Sequence, residues 1–89
     1  MADRIFMYDQ KEKTDTRYVG FVGDSGRFDL MIVTTAHFYG KKVVICLQTS
    51  RAAILDQKDA ANAGYLAEAF ALPTEAEAQE LSEFLLANI

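Results

Sequence analysis

The chain has 89 residues, 51% of them hydrophobic and 25% charged, with a formal net charge of −4. A chain of this size builds one compact domain, and its apolar content excludes a disordered tail. The only cysteine is Cys46, so a disulfide scaffold is excluded, and no apolar window reaches the ~18 residues that a membrane-spanning helix needs.

In chain order, Met1-Ala2-Asp3-Arg4 leads into a strand-like apolar run, Arg4 to Tyr8, rather than the core of a signal peptide. The expected location is therefore cytoplasmic. Gln10 to Asp15 is polar and reads as a solvent loop. Arg17 to Val22 is rich in aromatic and β-branched residues and reads as a strand. Gly23-Asp24-Ser25-Gly26 has hairpin-turn composition, and Phe28 to Thr35 returns as the next strand. Phe38-Tyr39-Gly40 makes a corner before a strand at Lys42 to Leu47. After Gln48-Thr49-Ser50, Arg51 to Leu55 reads as a short last strand. Consecutive strands with short loops predict an antiparallel meander of four to five strands over residues 1–55.

Residues 56–89 change to helical composition. Asp56 and Asp59 are placed to cap a first helix reaching about Ala71, with Gly64 as a weak point inside it. Thr74 and Glu77 have capping-box spacing ahead of a second helix. That helix turns Ala78, Leu81, Phe84, Leu85 and Ile89 to the core, and Glu80 and Glu83 outward. The fold class is thus α+β, a single domain with one or two C-terminal helices packed on one face of the sheet.

Charge divides at the same boundary. Residues 1–55 carry eight bases against six acids, and residues 56–89 carry one base against seven acids. No basic run exceeds Lys41-Lys42, and the acidic half repels a phosphate backbone, so nucleic-acid binding is disfavoured. The acidic face reads as solvated, with a basic protein partner as the alternative.

The strands carry apolar residues on both faces: Tyr18 and Val22 against Val19 and Phe21, and Phe28, Leu30 and Ile32 against Met31 and Val33. About thirty helical residues cover one face of such a sheet. The second face calls for a homodimer through the sheet. The alternative is closure of the sheet into a small barrel.

Motifs that suggest chemistry are weak. Gly23-Asp24-Ser25-Gly26 is similar to the nucleophile segment of trypsin-like proteases, but a chain this small cannot hold their two barrels and triad. Gly20, Gly23 and Gly26 lack the helix that a dinucleotide fingerprint opens; Gly20 fits a bulge or a close backbone approach instead. One histidine and one mid-strand cysteine make no transition-metal site, and no spaced acidic loop argues for calcium or magnesium. Cys46 reads as a small buried hydrophobe. No catalytic, cofactor or metal residue is assigned.

The residues nominated for a ligand or partner surface are His37, Tyr39, Lys41, Ser50 and Arg51. In a meander the His37 turn and the Ser50-Arg51 turn fall at opposite ends of the sheet. Arg51 either pairs with Asp24 or Asp29 or, with the amides of Thr49 and Ser50, holds an anion.

The order of segments resembles a known family. Thr16-Arg17-Tyr18-Val19-Gly20-Phe21-Val22, Arg27-Phe28-Asp29-Leu30, His37-Phe38-Tyr39-Gly40-Lys41-Lys42 and Cys46-Leu47-Gln48-Thr49-Ser50-Arg51-Ala52-Ala53-Ile54-Leu55 are similar to small uncharacterised cytosolic proteins of Gram-positive bacteria. The resemblance implies a cytoplasmic single domain and supplies no catalytic residue. Three functions compete on this basis. The first is a non-enzymatic homodimeric binding or regulatory module, with room for a protein partner. The second is a small ligand-binding or enzymatic domain using His37, Tyr39 and Lys41. The third, least favoured, is RNA binding through Phe38 and Tyr39.

Overall fold

The structure, a computed structural model, describes residues 4–89. Its strands are β1 (Asp15–Val22), β2 (Arg27–Thr34), β3 (Lys42–Cys46) and β4 (Arg51–Leu55), followed by helices α1 (Gln57–Ala60), α2 (Ala63–Ala69) and α3 (Glu75–Asn88). The strands pair antiparallel in the order β1-β2-β3-β4, giving an open four-stranded sheet. The expected meander is present, and among the described residues the sheet does not close into the barrel alternative: β1 and β4 have no further strand beside them.

Arg4 to Tyr8 is irregular rather than a fifth strand. A strand needs a neighbour for its backbone groups, and no described strand pairs with this run. The ladder from Asp15↔Thr34 to Val22↔Arg27 is continuous, so Gly20 marks no bulge. A Cβ on Gly20 would lie 2.9 Å from Asp29 Oδ1, so the glycine makes room for a side chain rather than a backbone.

Alternation assigns the faces. Val19 and Phe21 of β1, Phe28, Leu30 and Ile32 of β2, Val44 and Cys46 of β3, and Ala53 and Leu55 of β4 point to the helices. There they meet Ala60, Leu66, Phe70, Leu81 and Leu85. Phe21 stacks on Phe28 at 5.1 Å and on Phe84 of α3 at 4.5 Å between ring centroids. Cys46 is buried in this layer as a small apolar residue. Ser82, the one buried polar residue among the described residues, donates to the Ala60 carbonyl at 2.6 Å and fixes α3 to α1.

The helical half differs from expectation in three places. The helix expected to run from Asp56 to about Ala71 is two helices. The break falls at Ala61 and Asn62 rather than at Gly64, because Asn62 adopts an extended backbone and accepts from the Tyr65 amide as a new N-cap. The complete capping box is Asp56 with Asp59, whose backbone and side-chain groups bond reciprocally at 2.9 and 3.2 Å. Thr74 accepts from the Glu77 amide at 3.2 Å, but no return bond from the Glu77 side chain forms.

The third difference is Glu80. It does not face solvent but turns into the β1–β2 hairpin. It accepts from the Asp24 amide at 2.8 Å, the Ser25 amide at 3.3 Å and the Ser25 hydroxyl at 2.6 Å. A Cβ on Gly23 would fall 2.0 Å from the Glu80 carboxylate, so the glycine is the gap this carboxylate enters. The Gly23–Gly26 segment is a hairpin turn filled by an internal anion. The Ser25 hydroxyl bond and the two amides hold the Glu80 carboxyl below its ordinary value.

Candidate functional site

The five nominated residues do not converge. His37, Tyr39 and Lys41 lie in the β2–β3 connection, closed by the pair Thr34↔Lys42. Ser50 and Arg51 lie beyond the other end of β3, at the pair Cys46↔Arg51. The two groups are about 15 Å apart along a five-residue strand.

Within the first group the side chains go different ways. Tyr39 and Gly40 both take left-handed φ, 52° and 86°, with the Lys41 amide bonded to the Phe38 carbonyl at 3.0 Å. This is a tight primed-type turn, and it turns the Tyr39 ring out, fully exposed. The His37 ring faces the segment before β1: Nδ1 meets the Glu12 carboxylate and Nε2 meets Gln10 Oε1 at 2.7 Å. The Thr35 hydroxyl and the Ala36 amide also donate to Glu12. Bonds from Thr35, His37 and Ala36 hold the Glu12 carboxyl below its ordinary value. Lys41 turns to the capping box of α1, 3.2 Å from Asp59 and 3.8 Å from Asp56, and the Asp59 carboxylate raises its pKa. With both ring nitrogens of His37 engaged and Lys41 paired elsewhere, the three do not form an acid–base set. The depression beside them, about 330 Å³ and lined by Gln10, Ala36, His37 and Tyr39, is shallow.

In the second group Ser50 also takes a left-handed φ, 56°. Arg51 does not pair with Asp24 or Asp29. It is opposite Cys46 and so belongs to the helix-side face, whereas Asp29 points to the other face. There Asp29 is held by Arg27 at 2.9 Å and by Gln48 at 2.6 Å. Among the described residues Arg51 makes no ion pair, and no group of three His, Cys, Asp or Glu is placed to hold a metal.

The larger feature is the sheet face turned away from the helices. Tyr18, Met31, Ile45 and Ala52 form one row across the four strands, and Thr16, Val33, Val43 and Ile54 form the next. No described element packs over these rows: on the edge strands Tyr18 is 76% exposed and Ile54 39%, and between them Met31, Val33, Val43 and Ile45 are half-buried among their sheet neighbours. The segment before β1 is apolar and free as well, with Ile5, Phe6, Met7 and Tyr8 between 75% and 93% exposed. Its root is held by the bonds from Gln10 and Glu12 to the β2–β3 connection. By composition residues 10–15 read only as a solvent loop. The side-chain tether is invisible in the pattern because it spans 25 positions between Glu12 and His37.

Together the fold and this surface define a small α+β protein: an antiparallel meander backed by helices on one side and bare on the other. The chain belongs to the SAV0927-like family, whose family model matches residues 7–87. None of the curated proteins matches the chain. No helix of the described residues is long and apolar enough to cross a membrane.

Proposed function

We propose that the protein is a non-enzymatic binding or regulatory module that works as a homodimer, joined through the open sheet face. The observation that carries this reading is the pair of apolar rows, Tyr18-Met31-Ile45 and Val33-Val43-Ile54, left without a covering layer. A two-layer sheet-and-helix domain needs one apolar sheet face. A second face with large apolar residues across three strands in each of two rows marks an interaction surface. Two-fold symmetry is the commonest way to cover such a surface, because the same patch serves both subunits. The resemblance to small cytosolic proteins of Gram-positive bacteria supports a cytoplasmic setting. The acidic helical half remains outward in such a dimer, available to a basic protein partner and repellent to nucleic acid.

The engagement of His37 with Glu12 and Gln10 and of Lys41 with Asp59, with Tyr39 turned to solvent, argues against the enzymatic alternative. Sedimentation equilibrium of the full chain tests the dimer. A dimer at micromolar concentration supports the reading, and a strict monomer at high micromolar concentration overturns it.

A further inference from the structure

We propose that the apolar arm Ile5–Tyr8 of one subunit crosses the open sheet face of the other, so that the dimer is closed by exchange of arms. This rests on the homodimer reading and names the element that covers the face.

Five observations carry it. All four residues of the arm, Ile5, Phe6, Met7 and Tyr8, are apolar, yet all four are at least 75% exposed within their own subunit. It therefore does not serve its own core. Its reach is comparable to the width of the face: the four residues from Ile5 to Tyr8 span about 13 Å when extended, against about 14 Å across four strands.

The shape of the chain is that of a body with a projecting segment. The radius of gyration is 15.0 Å, where a compact chain of this length has about 12 Å. The longest extent is 50 Å, about twice the ~26 Å of an eight-residue strand. The arm leaves from a fixed point, because Gln10 and Glu12 are bonded to His37, Thr35 and Ala36.

The area also matches. Phe6 and Tyr8 each bury about 150–250 Å² when covered. With the sheet area they cover and two symmetric arms, the exchange buries about 1,200–2,000 Å², the size of a stable specific interface.

The test uses full-length protein and two cysteine variants, Phe6→Cys and Ile45→Cys, with different mass tags. Mixed and oxidised, they are expected to form a disulfide-linked pair containing one of each, while the parent chain, with only buried Cys46, forms none. A second variant lacks residues 4–8 and is expected to dimerise at least about 100-fold more weakly, as loss of two apolar anchors per arm implies. If the parent chain is a dimer and the shortened chain dimerises equally well, arm exchange is wrong and the homodimer reading stands. If a chain carrying both cysteines links only within itself, the arm covers its own sheet and the exchange is again overturned. A parent chain that remains monomeric overturns both readings.

Discussion

Replacing Ile54 by lysine is the most direct perturbation of the proposed dimer face. Ile54 stands on edge strand β4 in the row with Val43 and Val33, and 39% of it remains exposed within one subunit. Full burial of an isoleucine side chain contributes about 1.5–3 kcal/mol, so the exposed fraction leaves about 0.5–1 kcal/mol to be gained on association. In a two-fold dimer each substitution acts twice, which makes about 1–2 kcal/mol, or 5- to 30-fold in Kd. The unpaired ammonium groups add to this, so that range is a lower bound. The subunit itself changes little, because the position is already open to water, and the circular dichroism spectrum is expected to match that of the parent chain. Sedimentation equilibrium across the micromolar range reads the effect. A folded Ile54→Lys protein whose dimer Kd stays within two-fold of the parent value would show that the bare face is not the interface.

Three further outcomes follow from the packing. Ser82→Ala removes the donor to the buried Ala60 carbonyl and is expected to cost about 1–3 kcal/mol. That is read as a fall in Tm of about 4–8 °C per kcal/mol for a chain this size. Glu80 has its folded pKa depressed below the ordinary 4.5, so its contribution is present above pH 4.5 and is lost as pH falls through the folded value. The Tm difference between the parent and Glu80→Gln should be constant near neutrality and shrink in acid; a difference that grows in acid refutes the assignment. Gly23→Ala puts a methyl where the Glu80 carboxylate lies and forces that flexible side chain out of the hairpin. Its destabilisation is expected to disappear in a Glu80→Ala background, and fully additive losses in the double-mutant cycle would count against the contact.

Local pattern was sufficient where local physics decides. Alternation in Phe28 to Ile32 placed β2 and put Phe28, Leu30 and Ile32 together on one face, and the left-handed turn conformations at Tyr39, Gly40 and Ser50 lie in the connections that the turn residues marked. Asp56 and Thr74 were recognisable as caps because capping is decided within four residues. The two ends of the meander were also legible, since antiparallel order alone separates His37 from Arg51.

What spans long separations was not legible. Glu80 has the spacing of an outward residue on α3, and only the docking of that helix beside the β1–β2 hairpin brings it to the amides of Asp24 and Ser25. Arg51 and Asp29 have opposite charges at a suitable end of the sheet, but the register puts them on opposite faces. Arg4 to Tyr8 has strand composition and no strand neighbour, because composition supplies propensity while pairing supplies the hydrogen bonds. The sequence by itself thus determined the α+β order, the turns and the excess of apolar surface. The tertiary structure decided which face the helices take and which carboxylate fills the hairpin. It also decided that one apolar sheet face and one apolar arm stay open, because each depends on contacts between residues far apart in the chain.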